Sequence, residues 1–134
     1  MILQPYLNFD GQAEAALQFY AECFGGEITA LNRFGEAPME IPESHKNRIM
    51  HGEVVFDNNR IAVSDIGPGM ELKTGNQYSM MITLMEVFIL EDVFNKVARG
   101  GTVTMPLQDT FWGARFGTIT DKFGINWMFS CDLN

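Results

Sequence analysis

The sequence predicts an α+β fold: two successive β-α-β-β-β modules, whose eight strands form one curved mixed sheet with both helices on its convex face. Three observations carry this expectation. The same order of strand-like and helix-like segments occurs twice in the 134 residues. A Gly-Gly pair closes each helical segment, Gly25-Gly26 in the first half and Gly100-Gly101 in the second. Between the halves, residues 67–76 (GPGMELKTGN) are rich in glycine and turn formers, as a linker is. A ferredoxin-like or other two-layer α+β sandwich is the competing arrangement.

The elements follow in order. Residues 3–9 (LQPYLNF) have strand composition and Asp10-Gly11 breaks them. In 12–24, Ala13, Ala16, Leu17, Tyr20 and Phe24 recur on one helical face. Strands are expected near 27–35, 48–56 and 60–66, with Asp57-Asn58-Asn59 as a hairpin turn. The long intervening stretch 35–47 is a candidate to close a cleft or reach a partner. In the second half, 77–84 reads as a strand and 88–99 as a helix with Phe88, Val93, Phe94 and Val97 inward. Strands near 102–108, 111–120 and 125–131 complete it, with a turn over Asp121–Gly124. The modules thus cover about residues 1–66 and 76–134 of one domain.

Composition narrows the partners. Acidic residues outnumber basic ones 17 to 9, so the formal charge of −8 disfavours nucleic acid. No segment resembles a signal peptide or a membrane span, and Cys23 and Cys131 stand far apart without a CxxC, so a reducing cytoplasm is the expected compartment. Eleven Phe and nine Met suit a packed core or an adaptable pocket.

Two phrases carry a resemblance. They are PYLNFDGQAEAALQFYAECFGGE at the start and DTFWGARFGTITDKFGINWMFSC at the end, joined by HGEVVFDNNRIAVSD between them. They resemble the PhnB-like branch of the vicinal-oxygen-chelate superfamily, which includes glyoxalases, bleomycin-resistance proteins and dioxygenases. The resemblance implies a ligand cleft in the sheet and a homodimer. Metal-dependent members place His, Glu or sometimes Gln ligands on the first and last strand of each module. Carried onto this chain, those positions fall at Gln4, Val63 or Ser64, Ser79 and Met128. Zinc, iron and manganese favour His, carboxylate or thiolate donors, so no metal site is expected there. Some relatives carry methyltransferase names. No glycine-rich loop follows a first parallel strand here, so no methyl-donor site is expected.

Strand alternation nominates the rest of the site. His51 and Glu53 share one strand face, and a His–carboxylate pair suits acid–base work, with Glu53 as base and His51 as its partner or acid. Met50, Val54 and Phe56 should turn the other way, toward a helix. Tyr6, Asn8, Ser64, Ser79, Met81 and Met128 are the remaining cleft-facing positions, while Trp127 reads as core. Trp112 beside Arg115 suits a planar or anionic ligand. Asp121 reads as a turn former, and Asp65 as either a cleft-mouth residue or a cap. The chain also lacks HExxH, GxSxG and phosphate-loop motifs. The leading expectation is a small-molecule-binding protein or metal-independent enzyme. The alternatives are a metal-dependent glyoxalase- or dioxygenase-like enzyme using His51 and Glu53, and a sequestering module without turnover.

Overall fold

The computed structural model describes all 134 residues, and the chain divides into two compact units, Met1–Lys73 and Thr74–Asn134. The first unit runs β1 (Tyr6–Phe9), α1 (Ala13–Phe24), β2 (Glu27–Arg33), two short 3-10 turns (Phe34–Glu36 and Glu43–His45), β3 (Ile49–Phe56) and β4 (Asn59–Asp65). The second runs β5 (Met80–Leu84), α2 (Val87–Ala98), β6 (Thr102–Asp109), β7 (Ala114–Thr120) and β8 (Asn126–Asp132).

The predicted repeat is present in topology as well as in order. The sheets run β1-β4-β3-β2 and β5-β8-β7-β6. In each, the first strand lies parallel to the last and the other neighbours are antiparallel. Hydrogen bonding therefore divides the eight strands into two four-stranded mixed sheets, where one curved sheet was expected.

Each helix packs on one face of its own sheet for the reason the periodicity gives. In the first unit, Ala13, Ala16, Leu17 and Tyr20 of α1 are fully buried, as are Phe9, Val54 and Val63 of the sheet. In the second, Leu90 and Val97 of α2 are fully buried with Trp127 and Phe129 of β8, and Phe94 meets Phe129 edge-on at 5.4 Å. Two strand glycines admit the helices. A Cβ on Gly52 would lie 2.5 Å from Leu17 Cδ1, and one on Gly117 2.8 Å from the Phe94 ring.

The turns also behave as their residues dictate. Asp57 and Asn58 both adopt positive φ, as a two-residue type I′ hairpin requires. Gly25 ends α1 in the left-handed conformation. The 35–47 stretch is tied at its neck, where Gly35 N–H donates to Lys46 O and Phe34 N–H to Arg48 O.

Three expectations need correction. The first strand begins at Tyr6, and Leu3 is exposed: Pro5 brings no N–H to a ladder, although its carbonyl still accepts from Ala62 N–H. Phe88 is exposed because it lies two residues before Leu90, about 200° around the helix from the buried face. Met50 does not join Val54 and Phe56 on the helix side. Ile49 takes the buried place, and a register shift between β2 and β3 at Asn32/Arg33 falls opposite this point.

These packing contacts yield a stability prediction. Gly52→Ala should destabilise the fold by about 1–3 kcal/mol, since the new methyl meets fully buried Leu17 and Val63. Gly117→Ala should cost at least as much, because Met105 O, a backbone atom, also lies 3.0 Å from the new Cβ. Urea unfolding that shows either variant as stable as the parent would contradict this packing.

Candidate functional site

The candidate site residues of the first unit lie on the sheet face opposite α1. Tyr6 pairs with Ala62 and Asn8 with Ser64 across the parallel β1–β4 ladder, and Glu53 pairs with Ala62 across β3–β4. Directly paired residues share a face, so Tyr6, Asn8, His51, Glu53 and Ser64 are all on this one. The structure thus brings five of the ten predicted site residues onto one surface.

His51 and Glu53 are held by different partners. Tyr6 Oη lies 3.1 Å from His51 Nδ1. Glu53 Oε1 accepts from Arg60 Nη1 at 2.7 Å and from Thr29 Oγ1 at 2.9 Å. The expected His51–Glu53 pair is therefore two pairs. The Glu53 carboxylate serves as an anchor between β2 and β4, and the His51 imidazole is coupled to a phenol.

Beside this face is an open hollow of about 470 Å³. Asn8, Met50 and Ser64 line it from the strands, Phe34 from the first 3-10 turn, and Ile66, Met70 and Leu72 from the segment after β4. Asp65 lies at its inner end and is almost completely buried. Its Oδ1 accepts from Gly11 N–H (2.8 Å) and Ala13 N–H (3.0 Å), and its Oδ2 from Ile49 N–H (2.8 Å). Gln12, the residue preceding α1, gives no side-chain cap, so Asp65 caps that helix from 52 residues away. Gly11 presents its N–H with φ +89°, a conformation that favours glycine.

In the second unit, Met81 pairs with Met128, and Met128 with Thr118, on the face opposite α2. Ser79 immediately precedes β5. Trp112 meets Phe116 edge-on at 6.2 Å and Phe111 at 5.1 Å, in the turn before β7. Arg115 is committed elsewhere. Its guanidinium bonds Asp109 at 2.8 Å and Glu91 of α2 at 2.9 Å, so two carboxylates hold the cation expected to hold an anionic ligand beside Trp112. The same pairing keeps the Asp109 carboxyl below the usual carboxylate range, chiefly through the hydrogen bond from Arg115. Trp127 is core, as read, and donates Nε1–H to buried Asp121, which also accepts from Phe123 N–H and Ile125 N–H and so fixes the β7–β8 turn.

The donor set does not fit a divalent metal. Val63 is fully buried, and a Cβ on its β3 partner Gly52 would meet Leu17 of α1. Ser64 Oγ donates its proton to Asp65 O at 2.8 Å. Asp65 spends its lone pairs on backbone N–H groups, and Glu53 is bound by Arg60. Nowhere do three His, Cys, Asp or Glu side chains come together as a metal would need.

Residues 2–130 match the protein family described as 3-demethylubiquinone-9 3-methyltransferase. The chain belongs to this family. It is 33% identical to Protein YjdN of Escherichia coli over 137 residues, covering 96% of this chain and 93% of YjdN. The crystal structure of PA1353 from Pseudomonas aeruginosa superposes with a TM-score of 0.90 at 35% identity, covering 98% of each chain. The Bacillus cereus PhnB protein shares the fold at TM-score 0.82 and 24% identity, covering 98% of this chain and 99% of that one. So does a glyoxylase/bleomycin resistance protein/dioxygenase domain from Frankia sp. EAN1pec, at TM-score 0.71 and 11% identity, over 98% and 97%. The PhnB-like branch and the vicinal-oxygen-chelate fold, expected from the opening and closing phrases, are therefore established. No helix is long and apolar enough to cross a membrane.

The contacts missed by sequence reasoning are the Tyr6–His51 bond, the Arg60–Glu53–Thr29 anchor and the apolar wall of the hollow. All come from strand neighbours or irregular segments, which periodicity does not address. The Asp65 clamp is open to direct test. Asp65→Asn keeps the shape but replaces one acceptor with an NH2 group, leaving at least one buried N–H unmatched. It should cost about 2–4 kcal/mol. Chemical denaturation that shows no loss would overturn the clamp.

Proposed function

We propose that this protein binds a small molecule on the α1-opposed face of its first sheet, without a bound metal, and that His51 with Tyr6 is its proton-exchanging pair. The observation behind this reading is the Tyr6–His51 bond in the same surface as Asn8 and Ser64. Imidazole is the side chain suited to proton exchange near neutral pH. A phenol can donate to Nδ1, leaving Nε2–H as donor to the ligand, or accept from Nδ1–H, leaving Nε2 as acceptor. The pair can thus give or take a proton at Nε2. Glu53, already bound by Arg60 and Thr29, supports the sheet and is not the base in this reading. By itself, the second unit has polarisable surface at Met81 and Met128, on its sheet face opposite α2, and aromatic surface at Trp112.

The methyl transfer in the family's description finds no support in this chain. The methyl-donor folds bind their cofactor where a glycine-rich loop joins a first parallel strand to a helix, next to an adjacent parallel strand. Here β1 and β2 are opposite edges of their sheet, and the β1–α1 turn is Asp10-Gly11. A homodimer belongs to the same reading on the superfamily resemblance, and a cytoplasmic location on the two buried cysteines, Cys23 and Cys131, which stand far apart in the sequence. Light scattering at micromolar concentration should report a dimer, and a monomer would count against it.

A thermal-shift screen followed by NMR titration of the imidazoles tests the binding reading. Compounds that raise Tm should shift the His51 ring signals, and His51→Ala should weaken them about tenfold. Glu53→Gln should leave binding within about twofold, because its half-exposed partner Arg60 contributes little. Hits indifferent to His51→Ala, or binding that depends on Glu53 instead, would overturn the assignment. Binding without turnover would identify a sequestering protein.

A further inference from the structure

The hollow beside the His51 face has a hydrogen-bonding inventory that specifies what it would hold. Its volume of about 470 Å³ lies within the range of small-ligand sites. Its wall is largely apolar, with Phe34, Met50, Ile66 and Met70 contributing ring, thioether and aliphatic surface. Three polar groups face it from the strand ends, and they are not equivalent. The Asp65 carboxylate is spent on three backbone N–H groups and is almost completely buried. The Ser64 hydroxyl gives its proton to Asp65 O, so toward a ligand it can only accept. The Asn8 side-chain amide is exposed and offers both donors and an acceptor. Asn8 and Ser64 are direct partners on parallel strands, so both side chains leave the sheet on the same face from backbones one strand spacing, about 5 Å, apart. At the mouth, Glu71 and Lys73 carry opposite charges, so the rim favours neither ion, and the protein's net charge of −8 further disfavours anions.

We propose that this hollow is a binding site for an uncharged, mostly apolar molecule bearing a carboxamide or lactam edge. The ligand carbonyl accepts from Asn8 Nδ2, one ligand N–H donates to Asn8 Oδ1 or Ser64 Oγ, and the apolar body lies between Phe34, Met50 and Met70. A carboxylate brings no N–H for Ser64 Oγ or Asn8 Oδ1 and must shed its hydration in an apolar wall. A ketone satisfies Asn8 Nδ2 alone. The inference rests on the small-molecule reading above and adds the chemical class and the place.

Three matched probes test it on the full chain with 13C-methyl-labelled methionine: 2-naphthamide, 2-naphthoate and 2-acetylnaphthalene. The expected result is that 2-naphthamide shifts the Met50 and Met70 methyl signals and binds about tenfold more tightly than either of the others. Asn8→Leu, at an exposed position where loss of the amide leaves the packing intact, should erase that preference while the methyl spectrum stays dispersed. Equal binding of 2-naphthoate, or an unchanged preference in Asn8→Leu, overturns the proposal. If 2-naphthamide shifts His51 but neither methionine, the ligand sits on the sheet face: the hollow is wrong and the broader binding reading stands. If it shifts neither His51 nor the methionines, the carboxamide class falls, and the His51 screen decides the broader reading separately.

Discussion

The first unit depends on one buried carboxylate. Asp65, at the end of β4, accepts hydrogen bonds from the β1–α1 turn at Gly11, from the first turn of α1 at Ala13 and from the start of β3 at Ile49. Two segments distant in sequence, the β1–α1 junction and the start of β3, are pinned to one side chain at the end of β4. A buried carboxylate is costly unless its lone pairs are matched, and here backbone N–H groups match it. One of those N–H groups, at Ala13, opens a helix whose preceding residue offers no side-chain cap. The clamp fixes the end of β1 against β4, so Asn8 and Ser64 are presented side by side. It also has a chemical consequence: a carboxylate engaged in this way is not free to coordinate a cation.

Much of the fold was legible because it depends on short-range rules. Alternation placed Tyr6 and Asn8 on the cleft side, and the intervening Leu7 and Phe9 are buried. Helical spacing found Ala16, Leu17, Tyr20, Val93 and Val97. Glycine pairs closed both helices, and Asp57-Asn58 made the hairpin. The misreadings have equally physical causes. A register shift in β2–β3 defeats alternation at Met50, and Phe88 was assigned inward although the buried face of α2 starts at Leu90. The sequence pattern also cannot distinguish one eight-stranded sheet from two of four, because that depends on ladders between edge strands.

The site was legible in part. That His51 and Glu53 share a face follows from their spacing of two. Their partners do not follow, because Tyr6, Arg60 and Thr29 come from other strands, and only register decides which neighbour each meets. Arg115 is the clearest case. Its nearness to Trp112 in sequence suggested a ligand platform, yet β6–β7 pairing sets it directly opposite Asp109, within reach of Glu91 on α2. Asp65 was visible only as a cap or a cleft residue, and the choice required knowing that α1 and the start of β3 both converge on it. The hollow was invisible because Phe34, Met70 and Leu72 lie outside any strand or α-helix.

These placements describe a chain that keeps the vicinal-oxygen-chelate fold while its donor atoms serve other purposes. Ser64 bonds the backbone, Asp65 clamps it, Glu53 anchors two strands, and His51 pairs with a phenol. Metal content is the most direct test of that account. Untagged protein dialysed in turn against Zn, Mn, Ni and Fe(II), then analysed by mass spectrometry, should retain far less than one equivalent of any of them. One equivalent of metal that is lost in His51→Ala or Glu53→Ala would contradict it.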